Sequence, residues 1–128
     1  MNDTVLLENS KKISKINSVL IVDDNKEIQE TISFILERLG HKVWSANNGE
    51  EAIEKYQKYR PDIVFMDIRM PKISGVEAIS KIKKIDNKAN IVIITAFSGD
   101  NDVMELVKNN PIKIIDKPFK IAEIEKCL

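Results

Sequence analysis

The sequence predicts an α/β fold, a doubly wound parallel sheet of five strands built from five consecutive strand-helix pairs, (βα)5. Short apolar runs, which are typical of buried parallel strands, alternate with longer segments in which apolar residues recur at helical spacing. Because each strand must bury both of its sides, we expect the connecting helices on both faces of the sheet. A chain of 128 residues suits one compact domain with its own core.

The first strand-helix pair shows the pattern most clearly. Residues 19–22 are all apolar and predict the first strand. In the segment that follows, apolar residues recur at steps of three and four until Gly40, a residue type that commonly ends helices. The positions of this single apolar stripe are Ile28, Ile32, Ile35, Leu36 and Leu39.

The same pattern then repeats along the rest of the chain. Asn48 with Glu51, and Ser74 with Glu77, have the spacing of capping boxes, so they mark two helix starts independently of the apolar pattern. The further predicted strands are residues 42–46, 63–66, 91–94 and 112–115, and the helices after them are residues 50–59, 75–85, 102–108 and 122–128.

The first 18 residues lie outside this pattern. They are polar and contain several lysines, with Val5-Leu6-Leu7 as their apolar cluster. We predict a flexible N-terminal tail over residues 1–18 and a single domain over residues 19–128. A partner-docking helix within the tail is the alternative.

Composition excludes several classes of function. The 20 basic and 20 acidic side chains cancel, so no strong positive field attracts nucleic acid or an anionic membrane. The longest apolar runs have about five residues, whereas a bilayer span needs roughly 20, and no secretory signal is visible. The single cysteine, Cys127, cannot form an internal disulfide. We therefore expect a cytoplasmic protein that binds neither nucleic acid nor membranes directly.

Polar side chains lie just after four of the predicted strands. Because the carboxyl ends of parallel strands meet at one edge of a sheet, we expect these side chains to converge. Charges beside buried strands are costly unless they are paired or bind an ion. Oxygen ligands without cysteine or histidine favour Mg2+, or alternatively Mn2+, over zinc. The residues are Asp23 and Asp24 after the first strand, Asp67 after the third, Thr95 after the fourth and Lys117 after the fifth.

The sequences around these positions carry a family resemblance. Residues 22–25 read VDDN, residues 46–52 ANNGEEA, residues 61–71 PDIVFMDIRMP and residues 117–119 KPF. Together and in this order they resemble the receiver domains of bacterial response regulators, the phosphoproteins of two-component and phosphorelay signal transduction. The resemblance covers residues 19–128 and implies a flavodoxin-like receiver fold.

The resemblance implies that Asp67 is the phosphoacceptor, which takes its phosphoryl group from a sensor histidine kinase or a histidine phosphotransfer protein. A carboxylate is a weak nucleophile, so positioning and charge neutralisation must supply most of the rate. By the same resemblance, Asp24, Asp67 and the backbone carbonyl of Arg69 contact Mg2+, and Asp23 acts through metal-bound water.

Lys117 and Thr95 also receive roles from the resemblance. Lys117 would pair with Asp67 and then with a phosphoryl oxygen. Thr95 would donate its hydroxyl to the phosphoryl group and draw the following loop inward, which shifts the domain between inactive and active populations. The bond from Lys117 to Pro118 would be cis, a form that only about 5–6% of X-Pro bonds adopt.

Five residues bear on how the signal is tuned and passed on. Ile114 stands where receivers usually carry a switch tyrosine or phenylalanine, so either the output surface responds differently or Ile114 simply packs in the fifth strand. Asn110-Pro111 replaces the usual Gly-Ala before that strand and is expected to alter the turn. Arg69 and Phe97 occupy positions that, in this family, tune access to the phosphoacceptor, and we predict that Phe97→Ala changes the lifetime of phosphorylated Asp67.

Other functions remain open at this stage. A magnesium-dependent phosphohydrolase with an aspartate nucleophile usually has a second aspartate two residues later, where this chain has Arg69. A pseudo-receiver that binds partners without being phosphorylated would be favoured by a missing site residue, and none is missing. His41 follows Gly40 and is interpreted as a surface turn residue instead of a phosphohistidine relay. The output is either a downstream protein target or an output domain that this sequence does not include.

Overall fold

A computed structural model describes residues 18–70, 72–96 and 98–128. Five parallel strands form one sheet in the order β2-β1-β3-β4-β5, which confirms the predicted fold class. The strands are β1 (Ser18–Val22), β2 (Lys42–Ala46), β3 (Ile63–Asp67), β4 (Ile91–Thr95) and β5 (Lys113–Asp116). The helices are α1 (Lys26–Arg38), α2 (Gly49–Tyr59), α3 (Gly75–Ile85), α4 (Asn101–Asn109) and α5 (Ile121–Glu125).

The core consists of two layers, one on each face of the sheet. Residues that alternate along the strands point to opposite faces: Val19 and Ile21 pack with α1 and α5, whereas Leu20 and Val22 pack with α2, α3 and α4. Each fully buried aliphatic side chain of this kind contributes about 1.5–3 kcal/mol of transfer free energy. Because β1, β3 and β4 are buried on both faces, their ends are held in fixed positions.

Helix caps occur at the predicted positions. The Glu51 N–H donates to Asn48 Oδ1 at 2.9 Å, and the Glu77 N–H donates to the Ser74 hydroxyl at 3.3 Å. The α1 helix starts in the same way, because the Ile28 N–H donates to Asn25 Oδ1 at 3.1 Å. Two of these three starts were predicted from the capping spacing.

The end of α1 corrects the interpretation of His41. Gly40 has φ +95°, the Gly40 N–H donates to Glu37 O at 3.0 Å and the His41 N–H donates to Leu36 O at 3.0 Å. This is a Schellman motif, which turns the residue after the glycine back onto the helix. His41 is therefore buried and not on the surface, and its Nδ1 has no hydrogen-bond partner within the described residues.

Two predicted boundaries shift near the C-terminus. The strand predicted over residues 112–115 begins at Lys113, because the Ile112 N–H donates to Asn110 O at 2.8 Å in a turn around Pro111. The last helix ends at Glu125 and not at residue 128, since the Cys127 and Leu128 N–H groups donate three residues back. Neither shift moves the carboxyl ends of β1 and β3.

The predicted N-terminal tail falls almost wholly outside the described residues. Ser18, its last residue, is the first residue of β1. Across the part of the chain that the structure describes, no helix is both long enough and apolar enough to cross a bilayer.

Candidate functional site

Asp23 and Asp24 lie in the turn where β1 passes into α1. The Asp23 N–H donates to Ala46 O at 3.1 Å, which continues the pairing of β1 with β2 by one residue. The Asn25 N–H donates to Asp23 Oδ1 at 2.9 Å and fixes the orientation of that carboxylate. Asp23 is buried and Asp24 is exposed. The turn thus offers one carboxylate inside the protein and one facing solvent.

Asp67 is the last residue of β3, the strand beside β1. Its side chain is buried, and one carboxylate oxygen from each of Asp23, Asp24 and Asp67 lies within 4.8 Å of the other two. The chain leaves β1 toward β2 on one side and returns to β3 on the other, so the cluster lies at the switch point of the sheet. Three converging carboxylates form an all-oxygen donor set, which fits Mg2+.

Lys117 connects the end of β5 to this cluster. Its Nζ lies 3.1 Å from Asp23 Oδ2 and 3.5 Å from Asp67 Oδ2. The Lys117 N–H donates to Thr95 O at 2.9 Å, which anchors the lysine backbone to the end of β4. The peptide bond from Lys117 to Pro118 is cis, as predicted. One ammonium group is shared between two carboxylates, so the cluster keeps a net negative charge.

The electrostatics of the cluster perturb the pKa of Asp67. Burial, together with the nearby charges of Asp23 and Asp24, raises this pKa from 3.8 to about 6, although Lys117 and a backbone hydrogen bond from Arg69 act against the increase. Asp67 is still mostly ionised at neutral pH. The buried, crowded position nevertheless destabilises the carboxylate, so the site is suited to a ligand that supplies positive charge.

The other predicted site residues have different surroundings. Thr95 is the last residue of β4 and is fully buried. It lies one position beyond Ile94, the residue that is opposite Asp67 in the register of β3 and β4. Arg69 is exposed, and its guanidinium forms an ion pair with Asp100. Ile114 is half-buried in β5 and packs against the core on the α2–α4 face. Phe97 lies outside the described residues.

Gln29 is a site-supporting residue that sequence reasoning missed. It is buried on α1, and its Nε2 contacts Asp23 O, Ala46 O at 3.0 Å and Asn47 Oδ1 at 2.9 Å. Gln29 therefore ties the acidic turn to the loop that starts α2. A polar residue next to the apolar stripe of α1 was the only sequence signal for this role.

Gly75 was missed as well. It begins α3, and its N–H donates to Ile68 O at 3.0 Å. A Cβ atom at this position would lie 2.2 Å from the backbone oxygen of Asp67 and 2.7 Å from the Ile68 Cα. Only glycine lets the helix approach the end of β3 so closely, and this approach fixes the backbone of Asp67.

Comparison with known proteins identifies the family. The sequence-family model named response regulator receiver domain matches residues 19–128. The chain belongs to the response regulator receiver domain family. This receiver domain is 40% identical to the chemotaxis protein CheY of Thermotoga maritima over 86% of this chain and 92% of that protein. It is 31% identical to sporulation initiation phosphotransferase F of Bacillus subtilis over 86% of this chain and 89% of that protein.

A solved structure gives the same result for the fold. The receiver domain superposes on a crystal structure of the CheX-CheY-BeF3-Mg2+ complex from Borrelia burgdorferi with a TM-score of 0.78 and 30% identity, covering 87% of this chain and 85% of that one. The chain is therefore a receiver domain of two-component signal transduction, and its acidic cluster fits the phosphorylation site of such domains.

Proposed function

We propose that Asp67 accepts a phosphoryl group in the presence of Mg2+, and that this modification changes which partner the domain binds. The observation that carries the proposal is the cluster at the switch point. Asp67 is buried, its carboxylate lies within 4.8 Å of the Asp23 and Asp24 carboxylates, and Lys117 Nζ lies 3.5 Å from it. A buried carboxylate beside two others is costly unless a cation neutralises it, and such carboxylates cluster at functional sites.

The acidic residues of the cluster and the backbone of Arg69 would bind Mg2+. Asp24, Asp67 and the backbone carbonyl of Arg69 would hold Mg2+, with Asp23 acting through metal-bound water. Bound Mg2+ would neutralise negative charge on the carboxylates and on the incoming phosphoryl group. Mn2+ satisfies the same oxygen ligands.

The proposed transfer is a direct displacement at phosphorus. One Asp67 carboxylate oxygen attacks the phosphorus atom of a phosphohistidine, the phosphorus–nitrogen bond breaks, and the imidazole leaves and takes up a proton from solvent. Lys117 then pairs with a phosphoryl oxygen in place of the Asp67 carboxylate. Thr95, at the end of β4, donates its hydroxyl to another phosphoryl oxygen.

The proposed partners follow from this chemistry. A sensor histidine kinase or a histidine phosphotransfer protein would supply the phosphoryl group, and a downstream protein or an output domain would read it. In this proposal the domain catalyses only its own phosphorylation and dephosphorylation. The cytoplasmic location expected from the sequence remains a prediction.

Intact mass measurement after incubation with acetyl phosphate and Mg2+ tests the proposal. We expect wild-type protein to gain one phosphoryl group and Asp67→Asn to gain none. The matched control is Asp62→Asn, which changes the aspartate directly before the first residue of β3, at the end of the strand opposite Asp67. This variant is expected to label like wild type. Folded wild-type protein that stays unlabelled at saturating Mg2+ would reject phosphoacceptance and favour a pseudo-receiver.

Lys117→Ala tests the division of labour within the cluster. Because the proposed ligands of Mg2+ are oxygen atoms, we expect this variant to bind Mg2+ still but to lose the conformational response to phosphorylation. Titration with Mg2+ followed by NMR of the beryllofluoride-treated protein measures both properties. Loss of Mg2+ binding with a normal response would show that the role assigned to Lys117 is wrong.

A further inference from the structure

Asp100 occupies the N-cap position of α4 without capping it. Its backbone has φ −61° and ψ 141°, the extended conformation that N-cap residues adopt, and aspartate is among the best N-cap residues. Within the described residues, however, its carboxylate makes no hydrogen bond to the first turn of α4. It pairs with the Arg69 guanidinium instead. The capping group of this helix is thus engaged elsewhere.

The Arg69–Asp100 pair joins the two loops that border the acidic cluster. Arg69 follows Asp67 by two residues, and its backbone hydrogen-bonds to the Asp67 carboxylate. Asp100 lies five residues beyond Thr95, in the loop that connects β4 to α4. The charge of Asp102, in the first turn of α4, also acts on Arg69. A change of charge at Asp67 therefore has a direct route to the start of α4.

We propose that Asp100 exchanges partners when Asp67 is phosphorylated: Arg69 turns to the phosphoryl group, and the released Asp100 carboxylate caps α4. This inference rests on the proposed phosphorylation of Asp67. The phosphorylated side chain carries a charge of about −1.5 to −2 where the carboxylate carried −1, and it presents three phosphoryl oxygens, which arginine binds in a bidentate manner. The guanidinium gains a stronger anion two residues away, and Asp100 can then accept from the first turn of α4, where the Val103 N–H donates to Asp102 Oδ1 at 3.0 Å before the exchange.

The two arrangements are close enough in free energy for such an exchange. An ion pair between half-exposed side chains is weak because solvent screens it, and the Arg69 and Asp100 side chains are 58% and 30% exposed. An N-cap hydrogen bond stabilises a helix by a comparable amount. A modest new attraction on Arg69 is therefore sufficient to shift the population. The affected helix carries Met104, whose side chain is 58% exposed and available to a partner.

Amide hydrogen exchange in the first turn of α4 tests whether Asp100 leaves Arg69 and caps the helix. In wild type, adding beryllofluoride with Mg2+ is expected to raise the protection of the Asp102 amide roughly fivefold, which corresponds to a cap of about 1 kcal/mol. The Val103 amide is a poorer reporter, because it already donates to Asp102 Oδ1 at 3.0 Å. Arg69→Ala frees Asp100 and should show this increase without beryllofluoride. Asp100→Ala removes the cap and should show the lower protection under both conditions.

Asp100→Asn provides the matched control. Asparagine caps helices as well as aspartate does but cannot form the ion pair, so this variant should resemble Arg69→Ala. If the pair were only a surface contact that holds the loop, Arg69→Ala and Asp100→Ala would lower protection alike, and the inference would be overturned. An equal response of wild type and Asp100→Ala to beryllofluoride would overturn it too.

The same samples separate this inference from the proposed function. Fluorine NMR reports whether beryllofluoride binds, and acetyl phosphate labelling reports whether Asp67 is modified. If wild type fails both assays, the proposed function is wrong. The comparison of Arg69→Ala with Asp100→Ala in ligand-free protein still decides whether Asp100 can move from Arg69 to the helix.

Discussion

Neutralising Asp67 should stabilise the metal-free domain. Burial and the neighbouring carboxylates raise the pKa of Asp67 from 3.8 to about 6, so the folded state binds this proton more tightly than the unfolded chain does. The stabilisation from the neutral form is present below pH 3.8 and is lost as the pH rises through about 6. A shift of about two pKa units corresponds to about 3 kcal/mol, an upper bound that solvent screening reduces.

Asp67→Asn removes this cost at neutral pH while nearly preserving side-chain volume. We expect the variant to exceed wild type by about 1–3 kcal/mol in unfolding free energy at about pH 7.5 in the presence of a chelator, and by much less at about pH 4. Urea unfolding followed by circular dichroism measures the difference. Mg2+ should stabilise wild type more than the variant, because the proposed site loses a ligand.

The control is Glu54→Gln, which neutralises an exposed carboxylate on α2 away from the cluster. It should change stability little at either pH. The reasoning fails if metal-free Asp67→Asn is no more stable than wild type at neutral pH, or if its gain is equally large in acid. The first result would mean that Lys117 fully compensates the charge of Asp67.

Two further substitutions probe the residues that position the cluster. Gly75→Ala places a Cβ 2.2 Å from the Asp67 backbone oxygen, so we expect a loss of about 1–3 kcal/mol in urea unfolding and slower acetyl phosphate labelling. Gly99→Ala, whose Cβ would meet no atom of the described residues within 4 Å, should label normally. Gln29→Leu leaves the buried Ala46 carbonyl without this donor, so we expect a loss of about 1–3 kcal/mol and weaker Mg2+ binding by titration. Exposed Gln57→Leu should match wild type in both measurements, and an unchanged Mg2+ affinity in Gln29→Leu would contradict the positioning role.

The fold and the position of the cluster follow from the sequence because strand ends are local features. Each buried strand ends where an apolar run meets a polar residue, as at Asp23 and Asp67, and parallel strands bring those ends together without further information. Even the cap residues Asn48 and Ser74 can be predicted, since their partners are three residues away. These predictions need only short stretches of chain.

The supporting contacts could not be predicted, because they join distant segments. Gln29 acts through Ala46, 17 residues later, and Arg69 pairs with Asp100, 31 residues later. Polar residues on a helix or in a loop give no sign of which distant group they will meet. His41 was misjudged for a related reason, since the Schellman motif at Gly40 turns it inward although a turn position suggests exposure.

The cluster also explains why loops, and not the sheet, should respond to a change at Asp67. Lys117 lies 3.1 Å from Asp23 and 3.5 Å from Asp67, so a charge added at either carboxylate must be balanced by rearranging nearby cations. The strands below cannot move easily, because both of their faces are packed. The Lys117 side chain is 21% exposed and lies between two carboxylates of the cluster, whereas the Arg69 side chain is 58% exposed and its partner lies in a loop. Among the described cations beside the cluster, Arg69 is therefore the one that we expect to follow the charge, and in our proposal the release of Asp100 is the first step of the signal.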